Sequence, residues 1–227
     1  MGKLYGVSVG AGDHELMTLK AVRIIEKSSI IAVPRTSDKS LSLSIVEKII
    51  NLSDKIIIYL DFPMSKDKKI LSENYDRISE IICKNLSEND VAMLSIGDIS
   101  IYSTFSYIAE RVISRGFSVE ICAGVTSFSA VSARAVKPLV RDNEKLHIIP
   151  YNRENIKKCD FSDGVYVIMK CGKNVPELIK ILSQKNLLDR TYAVENCGLP
   201  DEKVYFNIKD ICEYKYFTVF VVENNNE

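Results

Sequence analysis

The sequence predicts an α/β protein of two domains, with a mainly parallel N-terminal sheet, a mixed C-terminal sheet and a cleft between them. Three observations carry this reading. Through the first half, runs rich in Ile and Val alternate with apolar residues at helical spacing. After Cys122 strand-like runs outnumber helical ones. Two Gly-Asp loops, Gly10-Ala11-Gly12-Asp13 and Gly97-Asp98, leave the ends of apolar strands, where open α/β sheets bind ligands.

Strands are predicted at Leu4–Val9, Ser29–Val33, Lys55–Leu60, Val91–Ser95 and Ser118–Cys122. Between them, Leu19, Val22 and Ile25 share a helix face, with Thr18 as N-cap. Leu41, Ile45 and Ile49 mark a second helix, and Ile78, Ile81, Ile82 and Leu86 a longer third. Phe105, Ile108 and Val112 mark a fourth, which Gly116 ends. A turn at Gly124–Thr126 feeds a helix through Ala135. Strands follow at Leu146–Pro150, Gly164–Met169, Thr191–Val194, Lys203–Phe206 and Tyr216–Val222, with one further helix, Asn174–Gln184, carrying Pro176 in its first turn. The expected domains are 1–122 and 123–227, ending in a frayed polar tail from Glu223.

The length of 227 residues suits one large domain or two ordinary ones. Thirty basic residues balance thirty acidic ones, which argues against nucleic acid or a membrane surface as partner. No apolar run approaches the roughly 18–20 residues of a membrane span, and the first residues are expected to form a strand, without the basic region and apolar h-region of a secretory leader. A cytoplasmic protein is expected. The six cysteines form no CxxC pair and the only histidines are His14 and His147, so no metal site is expected. Most of the cysteines are expected to be reduced, buried apolar residues.

The first loop invites a dinucleotide reading, which fails in detail. Glu15 stands where the fingerprint needs its third glycine, and Ala32-Val33-Pro34-Arg35 places no acid after the second strand. No Gly-Lys-Ser/Thr follows, so a P-loop is excluded. The plain structural reading is a turn capped by Asp13. Other polar strand ends, Pro34-Arg35, Met169-Lys170-Cys171-Gly172 and Glu195-Asn196-Cys197-Gly198, suit a small-molecule site.

Gly10-Ala11-Gly12-Asp13-His14-Glu15-Leu16-Met17-Thr18-Leu19-Lys20-Ala21 resembles the first signature of the tetrapyrrole methylases, GPGDPELLTLKA. Ser95-Ile96-Gly97-Asp98, Gly124-Val125-Thr126-Ser127 and Ala193-Val194-Glu195-Asn196 resemble later signatures of that family, in order along essentially the whole chain. Gly97 through Ile108 resembles the GDPxxYSTFxYL segment of the branch that methylates C20 of precorrin-2 or cobalt-factor II. Ala11 and Ile99 stand where the family signatures carry proline.

The resemblance implies an S-adenosylmethionine-dependent C20-methyltransferase of cobalamin biosynthesis, a homodimer, with cobalt-factor II the favoured substrate. Carried over by position, the cofactor contacts are Ala11, Ile96, Gly97, Asp98, Ile101, Thr126, Ser127 and Met169. Asp98 and Glu195 are candidates for a general base. Capping the next helix is the plainer role for Asp98, and a surface or capping acid for Glu195. Arg35, Arg134 and Lys170 are candidates to receive tetrapyrrole carboxylates, against an equal reading as solvated surface cations. Tyr102 is either a substrate contact or core packing beside Phe105. The alternatives are a superfamily methylase acting at another corrin position, on RNA or on a diphthine precursor, a nicotinamide-dependent oxidoreductase, or a non-catalytic tetrapyrrole- or nucleotide-binding module.

Overall fold

The computed structural model describes residues 1–35, 40–63, 65 and 67–224, without the side chain of Asn224. They form two compact units, Met1–Thr126 and Ser127–Glu227.

The first unit holds β1 (Lys3–Ser8), α1 (Leu19–Lys27), β2 (Ile30–Arg35), α2 (Leu41–Val46), β3 (Ile56–Asp61), α3 (Lys68–Leu86), β4 (Val91–Ser95), α4 (Phe105–Ser114) and β5 (Ser118–Cys122). All five strands run parallel in the order β3-β2-β4-β1-β5. From β1 the chain steps one way along the sheet, through α1 and α2; from β3 and β4 it steps the other way, through α3 and α4. Right-handed crossovers then put the two helix pairs on opposite faces. The cores agree: Ile25, Leu43 and Ile45 pack with Val7, Ile31 and Leu94, and Ile78, Ile82, Phe105 and Ile108 with Leu4, Ile30 and Met93. Neighbouring strands β1 and β4 therefore lead to opposite faces, and the sheet's topological switch point lies between their carboxyl ends.

The second unit holds α5 (Ser127–Ala135), β6 (Leu146–Pro150), α6 (Arg153–Lys158), β7 (Gly164–Met169), α7 (Val175–Gln184), β8 (Thr191–Glu195), β9 (Lys203–Tyr205) and β10 (Thr218–Asn224). Its sheet is mixed, in the order β6-β7-β10-β8-β9. Only β6 and β7 pair in parallel. Helix α7 buries Val175, Leu178, Ile181 and Leu182 against Tyr166, Ile168 and Phe220, and α5 packs against β8 and β10.

The predicted strands recur with ends shifted by at most two residues, and Thr18 caps α1 by accepting the Ala21 N–H at 3.1 Å. The helices depart further: α1 buries Ala21 and Ile25 while Leu19 is 73% exposed, α2 stops at Val46 and leaves Ile49 beyond it and exposed, and α3 starts at Lys68. Helix α6 is an addition: it buries only Ile156 and so lacks an apolar period, and Asn152 caps it by accepting the Glu154 and Asn155 N–H groups. The expected frayed tail is corrected in part. Glu223 and Asn224 pair with Val165 and Gly164 in β10, and residues 225–227 lie outside those described. Only Cys122 and Cys171 are fully buried; Cys83, Cys159 and Cys197 are partly buried and Cys212 is exposed, which corrects the expectation that most are buried. Among the described residues no helix is long and apolar enough to cross a membrane.

Tyr192 of β8 is fully buried, yet its hydroxyl finds no hydrogen-bond partner among the described residues. Burial pushes its phenol up to about 12, with the Glu223 carboxylate adding to the shift. Tyr192→Phe removes an unsatisfied polar atom and is expected to hold or raise the thermal midpoint. Because the folded phenol titrates above its unfolded value, its contribution is present below the unfolded pKa of 10.0 and lost as pH rises toward about 12. The variant's midpoint is therefore expected to fall less steeply at alkaline pH. A lower midpoint at neutral pH would contradict the assignment.

Candidate functional site at the ends of β1, β4 and β5

At the switch point the two Gly-Asp loops are bonded to each other. Past the parallel β1–β4 ladder, Val9 N–H donates to the Ser95 carbonyl at 2.9 Å, and a separate antiparallel bridge follows in which Gly97 N–H donates to the Gly10 carbonyl at 2.7 Å. Gly10 holds this path at φ 74°, in the left-handed region. A Cβ there would meet the Leu16 carbonyl at 2.8 Å.

Asp98 ties this pair to the loop after β5. One carboxylate oxygen accepts the Ser100 N–H at 2.7 Å and the Ser100 hydroxyl at 2.5 Å. The other accepts the Gly124 N–H at 2.9 Å. Partial burial alone would raise its pKa, but these hydrogen bonds outweigh it and hold the carboxyl below its usual value of 3.8. With its lone pairs so used, Asp98 suits fixing the loops rather than accepting a proton near neutrality. Asp13 serves its own turn, accepting the Glu15 N–H at 3.0 Å.

Ser8, the last residue of β1, completes the junction. It is fully buried, and its hydroxyl accepts the Ile99 N–H at 2.9 Å. A Cβ on Gly124 would lie 2.4 Å from the Ser8 Cβ, so three chain segments meet here at near-minimal separation. The sequence reading passed over Ser8; the signal was a small hydroxyl at the buried end of a strand, between Val7 and Val9.

Of the remaining expected cofactor contacts, Ala11 is buried, and Ile96 and Ile101 are partly buried on these loops. Thr126 closes the first unit. Ser127 opens α5 and Met169 ends β7, both in the second unit. Tyr102 is not core packing: it is 44% exposed and sits at φ 50°, while Phe105 at the start of α4 is buried in its place. Non-glycine residues at positive φ cluster at functional loops.

The cationic candidates are engaged. Arg35 makes a fork to Asp61 on the neighbouring strand, at 2.8 and 3.1 Å, and lies over the Tyr59 ring. Arg134 bonds Glu202 at 2.9 Å. Lys170 follows β7 at φ 59°, and desolvation lowers its pKa. Glu195 is 2% exposed, which corrects the surface reading; its carboxylate accepts the Lys215 N–H at 3.1 Å. Among the described residues no cluster of His, Cys, Asp and Glu could hold a metal ion.

The family model described as Tetrapyrrole (Corrin/Porphyrin) Methylases matches residues 3–212. The chain is 36% identical, over 96% of its length and 93% of the relative's, to a probable cobalt-precorrin-2 C(20)-methyltransferase of Methanocaldococcus jannaschii. It is 26% identical to the cobalt-precorrin-2 C(20)-methyltransferase of Salmonella typhimurium, over 100% of this chain and 98% of that one. In fold it is similar to a uroporphyrin-III C-methyl transferase from Thermus thermophilus solved with S-adenosyl homocysteine, at a TM-score of 0.70, 19% identity and 98% coverage of both chains.

Proposed function

The chain belongs to the tetrapyrrole (corrin/porphyrin) methylase family, and from that membership we propose that it methylates C20 of a precorrin-2-type tetrapyrrole, cobalt-factor II in first place, with S-adenosylmethionine as donor. The observation that carries the site is the three-loop junction at the switch point, where Asp98 binds the Gly97–Ser100 turn to Gly124. Its chemistry fits such a donor. The loops offer backbone groups, small residues and the aliphatic Ile96 and Ile101, held in place by the Asp98 carboxylate through Ser100 and Gly124.

When bound, S-adenosylmethionine supplies a methyl group already activated by its sulfonium. What the chain adds is alignment of that group with the acceptor carbon, which is worth ~7–11 kcal/mol in well-oriented systems. In this proposal Ala11, Ile96, Gly97, Asp98, Ile101, Thr126, Ser127 and Met169 hold the donor. Arg35, Tyr102, Arg134 and Lys170 face the acidic tetrapyrrole. The balanced charge of the sequence supports a small-molecule substrate over nucleic acid, and the family reading makes the protein a cytoplasmic homodimer.

The test is an anaerobic incubation with S-adenosylmethionine and either cobalt-factor II or metal-free precorrin-2, followed by mass spectrometry and NMR. One new methyl at C20 is expected, faster with the cobalt substrate. A methyl at another carbon, or none, overturns the assignment.

Arg35→Ala is expected to weaken tetrapyrrole binding about tenfold, the loss of one charge-assisted contact, and to leave donor affinity unchanged. Calorimetric titration of the two ligands separately checks this. Equal tetrapyrrole affinity in variant and wild type would leave Arg35 as a partner of Asp61 alone.

A further inference from the structure

Ser8 carries no role in the reading above, yet it touches two of the three loops. Its hydroxyl is fully buried, and so is the Ile99 N–H it accepts, on a residue 3% exposed. A buried backbone N–H requires a partner. Ile99 stands where the resembled signature has proline, which has no N–H and fixes φ by its ring. At this position the present chain has a looser residue with a donor to satisfy, and Ser8 supplies the acceptor from 91 residues away. The bond fixes the turn between Gly97 and Ile101 at its middle, while the Gly10 bridge fixes it at its start and Ile99 buries its side chain in the core beside Phe105.

We propose that Ser8 is a positioning residue for the methyl donor, its hydroxyl holding the Ile99 backbone, and so the Gly97–Ile101 turn, in binding geometry. The inference rests on the donor site proposed above. Ser8 does not touch the reacting atoms in this scheme; it acts through Ile99. The loop after β5 packs directly against this residue, since a Cβ on Gly124 would lie 2.4 Å from the Ser8 Cβ.

The experiment uses the full chain and S-adenosylhomocysteine as probe, by calorimetric titration, with tetrapyrrole binding measured in parallel. Ser8→Ala is expected to weaken S-adenosylhomocysteine binding by about tenfold, the usual consequence of orphaning one buried N–H, with tetrapyrrole affinity unchanged. Ser8→Cys, near in size but a weak acceptor, is expected to follow it and serves if Ser8→Ala does not fold. Adding Ile99→Pro to either variant removes the orphaned N–H and restores the fixed φ, and is expected to recover most of the donor affinity. Wild-type affinity in both single variants overturns the inference, and so does an equal loss for both ligands or a failure of proline to rescue. If the wild type itself does not bind S-adenosylhomocysteine, the donor site is overturned and the positioning role with it.

Discussion

Asp98→Asn is expected to weaken S-adenosylhomocysteine binding by about 10- to 100-fold, the range of one donor left unpaired at ~1–3 kcal/mol. The reason is directional. The carboxylate accepts on both oxygens, from Ser100 on one side and the Gly124 N–H on the other. An amide has one acceptor oxygen, so whichever way it turns, its NH2 confronts an N–H that the carboxylate satisfied. Asp98→Ala abandons both sides and is expected to cost more. If Asp98 were instead a general base, Asp98→Asn would lose turnover while keeping donor affinity, and titration against turnover separates the two.

The pH dependence follows from the same bonds. The folded pKa of Asp98 lies below its ordinary value of 3.8. Its contribution to stability is therefore complete above the unfolded pKa and is lost as pH falls through the lowered folded one. Donor binding through this latch is expected to persist into mildly acid solution and fail only below the ordinary aspartate range. Asp98→Asn should remove that acid limb. A wild-type loss centred near neutrality would place the titrating group elsewhere.

Much of the fold could be read from the sequence because local signals coincide with it. The Ile- and Val-rich runs of the strands, Thr18 as the cap of α1, and Gly116 after α4 each report on a few neighbouring residues. The Gly-Asp loops were legible for the same reason. Their mutual bonding was not, because Ser8 with Ile99 and Asp98 with Gly124 meet only once β4, β1 and β5 lie side by side. Arg35 illustrates the same limit. As a cation after a strand it reads as a free ligand for carboxylates, but the register of β2 on β3 sets Asp61 opposite it, and no local pattern announces an acid 26 residues away. Helix α6 escaped for the converse reason: it is local, but its single buried residue gives no period.

Gly124→Ala should separate the steric half of this junction from its hydrogen bonds. The added methyl would meet the Ser8 Cβ at 2.4 Å and the Gly97 carbonyl at 3.1 Å. Neither neighbour can withdraw easily, one on a central strand and the other in the Gly10–Gly97 bridge. Overpacking of this kind costs ~1–3 kcal/mol. Moving Gly124 also lengthens its bond to Asp98, so donor affinity is expected to fall with stability, by tenfold or more on the scale of ~1.4 kcal/mol per decade. The decisive variant is the pair Gly124→Ala with Ser8→Gly, which transfers the methyl-sized volume across the contact. It should recover part of the lost thermal midpoint, because the nearer clash is gone. It should not recover all of the donor affinity, because the Ile99 N–H then has lost the Ser8 hydroxyl. Thermal denaturation and S-adenosylhomocysteine titration on the wild type and the two variants measure the two effects independently. If the pair is no more stable than Gly124→Ala alone, the clash with Ser8 is not what keeps glycine at this position, and the Gly97 carbonyl becomes the contact to relieve.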